Sequence, residues 1–560
     1  MKKIIILINI FFSSIIFCYA SKNNSVVITY QHSYNDKVDS SYNTKVEISK
    51  NIAKIYNSGE KLYENAPDVF TYINYNNNTV YTTAILKSGD TIHTSKNFEY
   101  EKEWQREDGT YNIQNTLCKK ARITIHSNNI EIYYTLDSIF KGTPNPNYGL
   151  ANGLVLKTVY NGVYTVEAVN IEYSPKEIDL LPKTFGKELK SSEFQKALND
   201  NAVINIDIFK NEKVNFESLE NHKNPDIESG EILRFGSGTI ILKKVKLPKD
   251  SWNYNIFAEL TQYSNGDAYD RTGSVFVIPQ NKEISYLEGL LRGIETLPYF
   301  TDKTGKKHYG MIATENYEPP IELIRFFTGF GTKAYNRIEY GNYNWLDSVV
   351  YKQEVSHLNS ILCNEAIIGV YISNFDYNGH SVNLTLKYHP NFAEEEPLYK
   401  NKVIPLFSTI NIMENAGQQY ADFFETDTLN VNFNLNKEYK NATLYYTTTG
   451  HGGWSGGDEF NKKPNTLILD NRSFTFVPWR TDCATYREKN PCSGNFYNGL
   501  SSSDLSRSNW CPGTITVPTE IIYNNITKGK HNLKLIIPQG AKEGNSFNYW
   551  NTSGYFILTD

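Results

Sequence analysis

Residues 265–279 read NGDAYDRTGSVFVIP. Asn265, Gly266 and Asp267 carry turn chemistry. From Thr272 the chain runs through apolar, β-branched residues to Pro279, so the turn delivers a strand. Turn chemistry does not account for Asp270 and Arg271, which lead straight into that strand. The bland reading of the pair is a surface ion pair.

The same pattern recurs outward from this stretch. SVVITYQH (25–32), NNTVYTTAIL (77–86), ARITIHSNNIEIYYTL (121–136) and GVYTVEAVNIEY (162–173) read as strands separated by Asn, Gly and Asp. VINIDIF (203–209), SGTIILKKVKLP (237–248), NATLYYTTTG (441–450), HNLKLIIP (531–538) and GYFILTD (554–560) continue the series. Helical candidates are few: 192–200, 286–294 and the longer run 347–362. The expected class is mostly β. The organisation expected is a β-rich N-terminal domain over 21–185, a polar linker over 186–202, and two sandwich domains over 203–390 and 391–560. Successive β blocks of this size suggest two jelly rolls side by side.

The first twenty residues, MKKIIILINIFFSSIIFCYA, join Lys2 and Lys3 to an apolar run from Ile4 to Phe17 and end on small Ala20. They read as a secretory signal peptide over 1–20, with a mature start near Ser21 and a secreted or periplasmic destination. No later segment is long and uncharged enough to span a membrane. The net charge of −5 argues against a nucleic-acid partner, which would call for a basic face. Tyr and Phe number 41 and 29, which suits pleated sheets first and ring-on-sugar stacking second. Beyond Cys18, the cysteines are Cys118, Cys363, Cys483, Cys492 and Cys511, an odd number in an oxidising compartment. Cys483 and Cys511 are expected to pair, and the pairing of the other three stays open. No CxxC pair or Cys/His zinc spacing appears, so neither cofactor nor metal is expected.

Chemistry-bearing residues concentrate from Gly450 to Pro512. GHGGWSGGDEF (450–460) sets Glu459 in a loop where Gly452, Gly453, Gly456 and Gly457 permit unusual backbone angles. Adjacent Asp458 competes for any role given to Glu459. SSSDLSRSNWCPG (501–513) sets Arg507 three residues before Trp510, next to Cys511. The bland readings are a solvated glycine loop, a structural arginine and a core tryptophan.

Together GGDEF, RSNWCPG and DAYDRTGSVFV resemble the peptide:N-glycosidase F family, bacterial amidases that strip N-linked glycans from proteins. The family carries a glutamate on a glycine-rich loop, then Arg-x-x-Trp-Cys-Pro-Gly. Its aspartate sits in Asp-x-Trp/Tyr-Asp-Arg leading into a strand. The resemblance covers 203–560, and the extra N-terminal block is similar to that of a longer subgroup. It implies two eight-stranded antiparallel jelly-roll sandwiches with the site in the cleft between them. Asp270 matches the principal catalytic acid, Glu459 a second acid from the other domain, Arg507 an arginine in their network, and Trp510 a tryptophan beside it. Arg271 would bind the sugar or the peptide carbonyl side.

This chain also departs from the family. A family Tyr-Thr-Glu-Thr-Trp strand has its nearest match at 371–375, which puts Ser373 where the acid stands and Phe375 where the indole stands. Asp376 is near enough to substitute. RFFTGFG (325–331) corresponds to a cleft-lining segment, with Phe327 and Phe330 as wall residues. A family tryptophan near the glycine loop aligns with His451, and Trp454 stands close enough to replace it.

The resemblance implies hydrolysis of the amide between Asn and the first N-acetylglucosamine of a glycoprotein or glycopeptide, by a monomeric enzyme. Rival readings are an endo-acting glycosidase, which also uses two carboxylates, and a non-catalytic glycan-binding or adhesion protein. A copper monooxygenase on paired jelly rolls would need His clusters and a Met ligand, and no His-x-His occurs here.

Overall fold

The computed structural model describes residues 23–59, 66–98, 103–150, 152–217, 227–249, 251–331, 346, 348–391, 401–410, 423–452, 457–491, 502–542 and 548–560. The leader segment, Trp454 and Cys492 lie outside these residues. The chain divides into two compact units, Met1–Val203 and Ile204–Asp560.

The first unit is built on one twelve-stranded sheet. Ser25–Tyr34 starts near its middle, and successive hairpins carry the chain to Thr91–Asn97 on one side. The chain then begins again at the opposite edge, Gln105–Ile113, and returns until Tyr164–Ser174 pairs with Ser25–Tyr34. Paired residues at positive φ make the tight turns: Asn35 and Asp36, Lys50 and Asn51, Gln114 and Asn115, His126 and Ser127. Two consecutive left-handed residues match the twist of hairpin strands. The turn at His126 and Ser127 splits the apparent run 121–136 into Thr116–Ile125 and Asn128–Thr135.

The segment expected as a linker is ordered and belongs to this unit. Lys187–Glu188 pairs with Thr91–Asn97 in parallel. The helix Ser191–Ala202 follows, its start satisfied by Glu193 accepting from the Lys190 amide, and Phe194 packs on Ala84 and Ile92.

The second unit holds two sandwich lobes. In the first lobe, one sheet orders Ile204–Val214, His380–Pro390, Tyr254–Ser264 and Ser348–Glu354. The facing sheet orders Ile232–Phe235, Ile240–Lys246, Glu365–Ile372, Thr272–Ile278, Ile321–Phe327 and Ile515–Thr516. The run 347–362 was expected as a helix and instead supplies the strand Ser348–Glu354 and a 3-10 turn at Ser356–Leu358. Val349 and Tyr351 point into the core while Val350 and Lys352 face out, a period of two that pairing with Tyr254–Ser264 enforces.

The second lobe has two four-stranded sheets. One orders Lys402–Ser408, Tyr549–Thr559, Tyr439–His451 and Thr519–Ile526; the other orders Leu429–Leu435, Gly529–Ile536, Asn465–Leu469 and Arg472–Phe476. Pairing in all four sheets is antiparallel.

Two features lock the lobes together. Tyr549–Thr559 is buried on both faces: Phe556 and Leu558 enter the second lobe's core, while Tyr555 and Ile557 join the first lobe's. Ile515–Thr516 leaves the second lobe and pairs with Phe326 and Arg325 of the first. Beside this crossing lies a buried ion pair. Arg325 Nε donates to Glu322 Oε2 at 2.7 Å, and its Nη1 donates to Thr449 Oγ1 and the Asn551 carbonyl. Ser274 from the first lobe and Ser553 from the second both donate to the Glu322 carboxylate. A buried ion pair needs such secondary partners to offset desolvation. Here they come from both lobes.

Candidate active site

Asp267 organises the loop that presents Asp270. Its Oδ1 accepts from the Tyr269 amide, and Ser264 Oγ donates to its carbonyl. Thr328 ties the loop to the next strand: its hydroxyl accepts from the Arg271 amide at 2.7 Å and donates to the Tyr269 carbonyl at 2.8 Å. Arg271 turns back on Asp267, with Nε to Oδ2 at 2.7 Å, and His380 Nε2 stands 3.4 Å from the same oxygen. Burial opposes the Asp267 charge, but hydrogen bonding from His380 and Arg271 outweighs it and brings the carboxyl down to about 2. This aspartate is therefore a fixed anion that holds a loop.

Glu459 arrives from the second lobe. Its amide donates to the Gly452 carbonyl and its Oε2 accepts from the Gly452 amide, with Gly452 at φ 87°. Gly450 must lack a side chain, because a Cβ there would meet Trp550 at 2.8 Å and the Asp458 carbonyl at 2.9 Å. The neighbouring acid is structural. Asp458 is fully buried, takes the Trp550 indole N–H at 2.7 Å, and accepts from the Gly540 amide. The competition between the two acids thus resolves by direction: Asp458 faces the core and Glu459 faces Arg507.

Arg507 joins the two acids. Its Nη1 donates to Asp270 Oδ2 at 2.5 Å and lies 3.3 Å from Glu459 Oε1. Nη2 donates to the Ser502 carbonyl. The guanidinium lies over the Trp510 ring at 4.3 Å, a cation–π seat that fixes its plane. The Arg507 side chain is 2% exposed, against 20% for Asp270 and 19% for Glu459. The cation is buried and the carboxylates open toward solvent. One guanidinium cannot fully compensate two carboxylates that are both largely removed from water. Burial pushes the Glu459 carboxyl up and the Asp270 charge adds to this, against the pull of Arg507, leaving it at about 7.

The disulfide supports this arrangement. Cys483 and Cys511 are bonded, with Cα atoms 5.3 Å apart. The 3-10 segment Cys483–Lys489 is thereby fixed beside Trp510, and Arg487 Nε holds Asp504 at 2.9 Å in the turn that carries Ser502. Asn490 reaches the first lobe, its Oδ1 accepting from the Phe330 amide at 2.8 Å. Cys118 and Cys363 are free thiols.

The remaining expected site residues divide by exposure. Phe375 is exposed and sits with Tyr269 around the Arg271 guanidinium; Phe330 is half-buried near Tyr269. Ser373 is half-buried, and its amide donates to the Thr272 carbonyl. Phe327, Trp510 and His451 are not cleft surface. All three are buried, Phe327 stacks on Trp510 at 4.4 Å, and His451 packs on Trp510 at 5.0 Å. They form the wall behind Arg507. Burial holds the His451 imidazole well below its usual range, helped by the nearby Arg325 and Arg507 charges. Asp376 spends Oδ1 on the Asn378 and Gly379 amides of its own turn.

Sequence reasoning missed two contributors. Thr328 fixes both ends of the Asp270 loop, and Ser508 knits the Glu459 loop to the Arg507 loop by accepting from Gly450 N and donating to the Asp458 carbonyl. Small hydroxyl residues carry no pattern by which such work is legible. Among the described residues, no group of three His, Cys, Asp or Glu side chains is placed to hold a metal.

Three family models match consecutive parts of the chain. The N-terminal model of Peptide-N-glycosidase F covers 205–388, its C-terminal model covers 419–557, and an N-glycanase N-terminal domain model covers 28–194. Two solved structures of PNGF-II, in space groups P21 and C2, are 41% identical to the chain. They match over 96% of this chain and 99% and 98% of theirs, with TM-scores of 0.71 and 0.67. A structure of PNGase F from Flavobacterium meningosepticum, described as a glycosylasparaginase, is 16% identical over 64% of this chain and 96% of its own, with a TM-score of 0.41. No curated protein sequence matches the chain.

Proposed function

The chain belongs to the peptide-N-glycosidase F family, and from that premise we propose that it hydrolyses the side-chain amide joining Asn to the first N-acetylglucosamine of an N-glycoprotein. Water adds its oxygen to the Asn side-chain carbonyl carbon and the C–N bond breaks. The peptide keeps an Asp, and the intact glycan leaves as a glycosylamine that loses ammonia in water.

The observation that carries this reading is the single Arg507 Nη1 shared by Asp270 and Glu459 from two lobes. Asp270, on the short bond to Arg507, is the carboxylate that takes a proton from the attacking water. Glu459, pushed up to about 7, holds a proton near neutrality and delivers it to the departing nitrogen. The proton count of the pair is the same before and after this exchange, so the net charge beside Arg507 does not change. Either carboxylate then finds the same guanidinium, and no new charge is created in a buried site. Arg271, presented between Tyr269 and Phe375, is positioned for sugar hydroxyls or the peptide carbonyl.

We further propose export through the leader at 1–20. The bonded Cys483 and Cys511 suit an oxidising compartment. Among the described residues no helix is long and apolar enough to cross a membrane.

Two carboxylates on one Nη1 are also close enough for glycoside cleavage. Mass spectrometry of a treated glycopeptide separates the two chemistries. Amide hydrolysis converts Asn to Asp, with one oxygen drawn from labelled water. An Asn that still carries a sugar would refute the amidase reading.

A further inference from the structure

A second cavity of about 310 Å³ opens in the second unit, lined by both lobes. That volume falls at the lower end for small-ligand sites. Trp252 on its rim is 40% exposed, an unusual state for an indole without a partner surface. Tyr445 forms another wall, held flat against His357 at 4.1 Å with the rings 6° from parallel. His357 in turn bonds Tyr555 OH through Nε2 at 2.9 Å. This aromatic wall is therefore rigid, and it is built from both lobes.

The polar lining is one-sided. Glu354 and Glu520 contribute carboxylates, and Gln353 and Asn255 contribute amides, while no Lys or Arg is among the described lining residues. Ser356 donates to Glu354 Oε1 at 2.8 Å and so orients that carboxylate. The cavity is far from Asp270. Tyr254, also in the lining, starts the eleven-residue strand whose other end, Ser264, bonds the Asp267 carbonyl. At about 3.3 Å per residue the two ends are about 33 Å apart.

We propose that this cavity is a second carbohydrate site, which takes a neutral pyranose of a glycan with its apolar face on Trp252. A pyranose offers one apolar C–H face to an indole, and its rim hydroxyls both donate and accept. Amides answer both roles and carboxylates accept, which excludes an anionic sugar. A cationic peptide would also use the indole and the carboxylates, and the titration below separates it from the sugar. The purpose of the site rests on the amidase reading: it would hold one glycan of a multiply glycosylated protein while another occupies the Asp270 cleft. Its binding is measurable without turnover.

The experiment is a calorimetric titration of the full chain with neutral N,N′-diacetylchitobiose, for the native protein, Trp252→Ala and Trp252→Phe. The native chain is expected to show two saturable events, one belonging to the Asp270 cleft and unchanged in both variants, and a second that weakens by roughly tenfold in Trp252→Ala and is largely kept in Trp252→Phe, as loss of one ring-stacking contact implies. Turnover of a short glycopeptide should be unchanged in both variants, which also confirms folding. On a multiply glycosylated protein, Trp252→Ala should raise KM and leave kcat alone. Identical sugar binding by the native chain and Trp252→Ala would overturn the proposal, as would a lysine-rich peptide that binds there in place of the sugar. Failure of glycopeptide turnover in the native chain would instead count against the amidase reading alone.

Discussion

Two acid–arginine clusters stand three residues apart at the mouth of the strand Thr272–Ile278. Asp267 has a cation to itself: Arg271 lies along one edge, with the His380 ring behind. Asp270 has fewer, because it shares one Nη1 of Arg507 with Glu459. The matched cluster gives a permanent anion at about 2, and the mismatched cluster gives a glutamate at about 7. Residue types are nearly the same in both. What differs is the ratio of charges inside a buried volume, and only the unbalanced cluster can exchange a proton near neutral pH.

Breaking the unbalanced cluster should have the largest effect. Asp270→Asn is expected to lower kcat/KM on a glycopeptide by roughly 10³-fold while the protein stays folded, since a positioned general base contributes about that much. Retained turnover would remove Asp270 from the chemistry. Arg507→Lys comes next, with a loss of roughly 10²-fold. An ammonium cannot lie flat on Trp510 and reach two carboxylates and the Ser502 carbonyl together. Activity near the native level would mean that charge alone suffices there.

The two clusters should also respond oppositely to pH. For Glu459 the folded value is raised above the ordinary 4.5, so the folded state bears a cost that is absent below 4.5 and complete above about 7. Glu459→Gln should therefore stabilise the fold by about 3 kcal/mol at pH 8 and by nothing at pH 4, while lowering activity. Equal melting temperatures at pH 8 would contradict the mismatch. For Asp267 the folded value is depressed, so its contribution is present above 3.8 and is lost as the pH falls through about 2. Asp267→Asn should cost about 2 kcal/mol at pH 7, read by denaturant unfolding, and the difference should vanish near pH 2. A difference that stays constant with pH would mean that Asp267 acts through packing and not through charge.

The two clusters were unequally legible in the chain. The strand class follows from turn punctuation, while Asp270, Glu459 and Arg507 stand out as a set only through the family resemblance, since each alone reads as a surface or structural residue. Exposure did not follow. Phe327, His451 and Trp510 stack behind Arg507, and an aromatic in a cleft motif looks the same in sequence whether it lines the cleft or braces it. Asp458 and Glu459 are neighbours on a glycine-rich loop, and the Trp550 indole and the Gly540 amide decide which faces the core. The run 347–362 carries apolar spacing that suits either period, and its register against Tyr254–Ser264 settles the matter as a strand. Nor does local pattern reveal that Ile515–Thr516 crosses from one lobe to pair in the other. Long-range pairing made these choices, and a short window of residues does not contain it.

The central claim is that one guanidinium between two carboxylates leaves Glu459 protonated near neutral pH. Carbon NMR of a chain labelled at the glutamate carboxyl, with Glu459→Gln to assign the signal, measures it directly. The account predicts a midpoint near 7 in the native chain, moving down in Asp270→Asn as the neighbouring charge is removed. A midpoint near the ordinary 4.5, unmoved by that substitution, would contradict it.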